Sequence, residues 1–281
     1  MTSGGARTLV VVPTYNEALR LDVAAFAAYV GRDDGVGFLF VDDGSSDDTP
    51  AVLERLVALA PERLLSMRLE RNGGKAEAVR RGVLAAAERG AELVGYWDAD
   101  LATPLDAIVA FREVLEAEPA LHLVMGARIQ LLGRRIERRP ARHYFGRAFA
   151  TTASVLLGVP VYDTQCGAKL FRATPEMRLA FSTPFGSRWI FDVELLARMM
   201  AWGGLDLRGT VYEYPLTSWS DVAGSRLRGR DFFRAPRELA AIYWRYVRRG
   251  AGAAAPRAAV PGPLVPHDGG AGEWGSGGVG E

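Results

Sequence analysis

Between residues 8 and 126 the chain alternates short β-branched or aliphatic runs with helix-length amphipathic segments, and few folds accept that rhythm. The runs are Thr8–Val12, Phe38–Val41, Leu64–Leu69, Leu93–Trp97 and Leu121–Gly126; between them, spacings such as Leu53, Leu56, Val57, Ala60 mark one helical face. Such alternation predicts an α/β chain with a mostly parallel central sheet flanked by crossover helices. In these sheets ligands bind beyond the carboxyl ends of the strands. The segments at those ends are polar: VPTYNE (Val12–Glu17), VDDGSSDDTP (Val41–Pro50), RNGGK (Arg71–Lys75) and YWDADLATP (Tyr96–Pro104).

Composition limits the partners. With 34 basic and 33 acidic residues, no whole-molecule field draws the chain to nucleic acid, so attraction to an anionic surface has to be local. It is concentrated from Arg128 to Arg147, where seven arginines face one glutamate and Tyr144, Phe145 and Phe149 stand alongside. A lone cysteine, Cys166, excludes a disulfide framework and a cysteine zinc site, and reads as an inert packing residue. His122 and His143 lack metal-ligand spacing. The N-terminus has no signal-peptide pattern, and the uncharged stretch 148–162 falls short of the ~20 residues of a spanning helix. A cytoplasmic protein, peripheral on the inner face of the cell membrane, is the expectation.

Each polar segment has a bland reading and a chemical one. Asp98 and Asp100 are hard oxygen donors at a strand end, suited to Mg²⁺ or Mn²⁺ holding a diphosphate, yet Asp-x-Asp also occurs as a plain turn before a helix started by Thr103 and Pro104. Thr49 and Pro50 serve as a helix start, which leaves Asp42 and Asp43 to accept from a base N–H or a ribose hydroxyl. Gly73 and Gly74 let the backbone approach a ligand, with Lys75 offering a point charge to phosphate. Downstream, a helix is expected over about Trp189–Trp202 and a strand near Val211–Tyr214. An amphipathic segment 231–249, its first turns broken by Pro236, can pack on the domain or lie on a membrane. Residues 250–281, with ten Gly and four Pro, read as a disordered tail, and residues 1–7 as a flexible start.

Taken in order, VPTYNE, VDDGSSDDT, NGGK and DAD resemble the family 2 glycosyltransferases, which have the GT-A nucleotide-diphospho-sugar fold. MGAR (Met125–Arg128), DTQCGAKLF (Asp163–Phe171), RWIFDVELL (Arg188–Leu196) and SWSDVAGSRL (Ser218–Leu227) extend the resemblance over residues 8–230, toward the dolichyl-phosphate β-glucosyltransferase branch, with the polyprenyl-phosphate mannosyltransferases as relatives. The resemblance implies that Pro13, Tyr15, Glu17 and Asp42 surround the base and ribose of a UDP-sugar and that Asp98 and Asp100 hold its diphosphate through Mg²⁺ or Mn²⁺; Asp43 and Lys75 join the nucleotide-sugar candidates on their own chemistry, with a plain β-to-helix turn the alternative for RNGGK. It also implies that Arg128 and Arg226 grip the phosphate of a polyprenyl acceptor; Lys169, within DTQCGAKLF, is a further candidate for that phosphate or else forms a structural ion pair. Asp163, or alternatively Asp192, is the catalytic carboxylate of an inverting displacement, with Asp163 preferred for its more distinctive motif. Mannosyl relatives usually carry Gln two residues after the second Asp, where this chain has Ala102. A GDP-mannose transferase, a transferase to a soluble sugar acceptor, a nucleotidyltransferase and a non-catalytic nucleotide-sugar binder are the alternatives.

Overall fold

A computed structural model describes residues 7–32, 35–137, 140–222 and 229–248. Seven strands form one sheet: β1 (Thr8–Thr14), β2 (Val36–Asp42), β3 (Leu64–Arg68), β4 (Leu93–Trp97), β5 (Leu123–Ala127), β7 (Ala168–Arg172) and β8 (Val211–Pro215), in the order β3-β2-β1-β4-β7-β5-β8. β6 (Arg135–Glu137) and β9 (Ser218–Ser220) pair as a separate two-stranded ribbon. All five anticipated early strands are present, because β-branched and aromatic side chains suit a sheet buried on both faces.

The crossover helices lie where the periodicity put them: α1 (Val23–Val30), α2 (Thr49–Leu59), α3 (Lys75–Glu88) and α4 (Ala107–Ala117). One face of the sheet packs under Phe26, Leu53, Leu56, Ile108 and Phe111, the other under Val79, Val83, Phe181, Val193 and Leu196. α5 (Pro140–Leu157), α6 (Pro175–Phe181), α7 (Phe191–Ala201) and the short α8 (Leu207–Thr210) complete the domain.

β7 was not apparent from hydrophobic alternation. It runs antiparallel between β4 and β5, with Trp97 opposite Ala168, Tyr96 opposite Lys169 and Val124 opposite Leu170. Because it is reversed, its N-terminal approach, residues 163–167, arrives at the carboxyl ends of the parallel strands.

The C-terminal segment is helical from Gly229 to Ile242 (α9), passes through Pro236, and widens into a π-helical turn over Tyr243–Val247. Pro236 therefore does not break it. Burial of Leu239, Ile242 and Tyr246 outweighs the hydrogen bond that proline cannot donate. Tyr246 Oη donates to Glu194 Oε1 (2.9 Å), Ser187 Oγ donates to Glu238 Oε2 (2.5 Å), and Arg198, fully buried, donates to Glu194 (2.8 Å) and to the carbonyls of Ala180, Thr183 and Pro184. Through Tyr246, Glu238 and the buried Leu239 and Ile242, one face of the segment packs on the domain. Among the described residues no helix is long and apolar enough to cross a membrane.

Candidate active site

The loops after β1 and β2 are tied to each other. Asn16, in the left-handed region at φ 49°, accepts from Ser46 N–H through Oδ1 (2.9 Å) and donates its own N–H to Ser45 Oγ (2.9 Å), while Glu17 N–H donates to Thr49 Oγ1 (2.7 Å). Pro13, Tyr15 and Glu17 line the resulting edge half-buried, with Glu17 paired to Arg20 (2.6 Å). Asp42 is 2% exposed; Oδ1 accepts from Ser45 N–H (2.9 Å), whereas Oδ2 is buried without a hydrogen bond and has Arg68 Nε at 3.2 Å as its ion-pair partner. An acceptor left short of donors fits the N–H of a base.

Asp43 does different work from that expected. Its two oxygens accept the backbone N–H groups of Gly73 and Gly74, at 2.7 Å each, so it shapes the NGGK loop instead of reaching a ligand. Burial raises its pKa, and the two amides pull it back only in part. Arg188 fastens the same loop from the other side, donating to Gly73 O (3.1 Å) and to Asn72 Oδ1 (3.2 Å). Nothing in the RWIFDVELL motif by itself assigns Arg188 this role.

Lys75, at the start of α3, reaches Asp98 Oδ1 at 2.5 Å, which places the NGGK cation on the DAD carboxylate. Asp98 in turn is seated on the β7 approach: its N–H donates to Gly167 O (2.9 Å), and a Cβ at Gly167 would collide with its carboxylate. Only glycine leaves that space. Asp100 Oδ1 accepts from Ala102 N–H (3.1 Å). Its pKa is raised, first by burial and then by repulsion from Asp98, the state a divalent cation between the two would relieve. Among the described residues no cluster of three or more His, Cys, Asp or Glu could hold a metal. Asp98 and Asp100 by themselves are two hard oxygen donors, of the kind that suits a divalent cation whose other ligands are phosphate oxygens and water.

Just past the end of β5, Arg128 meets Asp163. Nε donates to Oδ2 (2.6 Å), Nη2 to Oδ1 (2.7 Å) and the Arg128 backbone N–H to Oδ2 (3.1 Å); Gln165 N–H adds a contact to Oδ1 (3.3 Å). Burial alone would lower the guanidinium pKa, but Asp163 more than reverses this and raises it. The guanidinium also lies 5.2 Å over the Trp219 ring. Glu213, an acid inside an otherwise apolar strand, holds the loop by accepting from Tyr162 and Asp163 N–H (2.8 Å each). Burial raises its pKa.

Lys169 is corrected by the fold. It is fully buried and spends its ammonium on Thr164 O (2.9 Å), Cys166 O (2.8 Å) and Asp192 Oδ1 (2.6 Å), so no donor remains for an acceptor phosphate. Tyr96 Oη donates to the same Asp192 oxygen, and burial drives the Tyr96 pKa well above its ordinary value. No described residue donates to Asp192 Oδ2. Phe149 likewise turns into the protein, its ring 5.8 Å from Trp189, and Arg147 stacks 4.0 Å over Tyr162. Arg226 lies outside the described residues, as do residues 1–6 and 249–281.

The mostly parallel sheet with its one reversed strand is a glycosyltransferase fold of the GT-A type, and the chain belongs to glycosyl transferase family 2, whose model matches residues 9–179. It is a glycosyltransferase. Curated relatives include a dolichyl-phosphate beta-glucosyltransferase of Trichomonas vaginalis, 30% identical over 85% of this chain and 72% of the relative, and one of Mus musculus, 32% identical over 78% and 68%. A polyprenol monophosphomannose synthase of Mycolicibacterium smegmatis is 27% identical over 80% and 84%. Among solved structures, glucosyl-3-phosphoglycerate synthase from Mycobacterium tuberculosis with UDP shares the fold, with a TM-score of 0.59 at 19% identity over 84% of this chain and 80% of that one.

Proposed function

We propose that the chain transfers glucose from UDP-glucose to a polyprenyl phosphate with inversion, aided by Mg²⁺ or Mn²⁺. The observation that carries the reading is the placement of two cations at the carboxyl ends of the parallel strands, both able to meet phosphate: Lys75 paired to Asp98 after β4, and Arg128 after β5, held in bidentate geometry by Asp163. The relatives named for dolichyl-phosphate glucosylation support the acceptor and the sugar. UDP- and metal-bound structures of the same fold support the donor and the cation.

In this reading Pro13, Tyr15 and Glu17 frame the base and ribose, and Asp42 Oδ2 accepts the base N–H. The NGGK loop, shaped by Asp43 and Arg188, brings Lys75 to the diphosphate. Asp98 and Asp100 would hold the divalent metal, which when bound would neutralise charge on the departing nucleoside diphosphate. A phosphate acceptor is already ionised near neutral pH, so positioning replaces proton abstraction. Its oxygen forms the new bond to the anomeric carbon as the bond to UDP breaks. Asp163 then acts as the anchor of Arg128, and Asp192 Oδ2 is the carboxylate oxygen left to face the sugar or acceptor.

Purified protein with UDP-glucose, Mn²⁺ and a short-chain polyprenyl phosphate is expected to give lipid-linked glucose and UDP. Absence of that product together with glycosylation of another acceptor overturns the reading. The identity to the M. smegmatis synthase makes GDP-mannose the second donor to assay, and released nucleoside diphosphate separates the two.

A further inference from the structure

Three residues beyond Arg128 the chain makes an excursion that the transfer chemistry does not use. The turn 131–134 is closed by Arg134 N–H donating to Leu131 O (3.0 Å), and Gly133 holds its third position at φ +82°, where glycine is favoured. The Gln130 side chain donates to Ile136 O (3.3 Å), joining the two legs, and β6 is in turn paired to β9. The turn is thus built rather than frayed. It presents Leu132 fully exposed and Leu131 half exposed, followed by the exposed Arg134 and Arg135. No carboxylate among the described residues engages either arginine.

A single exposed leucine needs no explanation. Two at the tip of a clamped turn, next to cations that no described carboxylate engages and in continuity with the proposed acceptor-phosphate arginine, match an anionic lipid surface in both apolarity and charge. We propose that the 131–134 turn is a membrane wedge: Leu131 and Leu132 enter the acyl boundary while Arg134 and Arg135 meet headgroup phosphates, bringing Arg128 to the level of the acceptor's phosphate. The functional part of this inference rests on the lipid-acceptor reading; the docking itself does not.

The test is co-sedimentation of the full chain with phosphatidylcholine vesicles containing phosphatidylserine. Wild type binds. Leu131→Ser/Leu132→Ser binds about tenfold more weakly, equivalent to ~1.4 kcal/mol. Arg134→Ser/Arg135→Ser loses its preference for the anionic vesicles and much of its salt sensitivity. Both variants keep the wild-type melting temperature, since the altered side chains are exposed. Because Cys166 is buried, Leu132→Cys can be labelled selectively with an environment-sensitive dye, whose emission shifts to the blue on vesicles. Unchanged binding of the leucine variant, or a dye that stays in water, overturns the wedge. Glucose transfer to polyprenyl phosphate without wedge-dependent binding refutes the wedge and spares the acceptor; wedge-dependent binding without such transfer does the reverse.

Discussion

Replacing Asp163 separates an anchor from a base. Its carboxylate takes two side-chain donors and one backbone donor from Arg128, at 2.6, 2.7 and 3.1 Å, and a further contact from Gln165 N–H at 3.3 Å, which accounts for about the four lone-pair sites a carboxylate has. Asn at this position keeps one acceptor oxygen and turns an amide NH₂ toward the guanidinium. Hydrogen bonds to charged groups contribute ~1.5–3 kcal/mol each, so Asp163→Asn is expected to cost about 2–3 kcal/mol. At roughly 2–4 °C per kcal/mol for a domain of this size, the melting temperature falls by about 4–12 °C. With Arg128 loosened, the acceptor KM rises about tenfold while the shape of the pH–rate profile is preserved. Circular dichroism melts and steady-state kinetics against acceptor over a pH series read both effects. If Asp163 is instead a general base, kcat falls by about 10²–10⁴ with one limb of the pH profile lost. That pattern, with an unshifted melting temperature and an unchanged KM, would refute the anchor.

Lys169→Met strands Asp192 and Tyr96 in a buried setting and is expected to cost about 3–5 kcal/mol by thermal melting, with part of the loss recovered in Lys169→Met/Asp192→Asn. Gly167→Ala places a methyl against the Asp98 carboxylate; calorimetry is expected to show loss of metal-dependent UDP binding with a smaller effect on folding, and wild-type binding contradicts the seating of Asp98 on β7. Burial raises the Cys166 thiol above its ordinary pKa, so its thiolate fraction lies below that of a free cysteine at every pH up to that raised value. Native protein is expected to resist alkylation between about pH 7 and pH 9, reacting only when unfolded in denaturant.

The alternation over residues 8–126 determined the parallel strands and their helices, because one period selects each element type locally and burial on both faces selects the residues. It also put the polar segments at the ligand edge, and motif order reached the family. What it could not determine was how carboxylates and cations divide between partners. Asp42 and Asp43 are neighbours in sequence, yet alternation along β2 leaves Asp42 Oδ2 without a hydrogen bond and sends Asp43 to the Gly73 and Gly74 amides. Lys75 and Lys169 are the chain's two lysines, both in the motifs, and nothing local separates a phosphate contact from a structural ion pair. The antiparallel insertion of β7 opposite β4 buries Lys169 against Asp192, while Lys75 stays partly exposed on Asp98. Arg188 and Glu213 carried only the faint signals of an arginine opening a motif and an acid in an apolar strand. Each of these assignments joins groups dozens of residues apart, and ion pairing depends on which donor arrives within about 3 Å in a water-poor site. Local sequence period carries no such distance; the reversed strand supplies it.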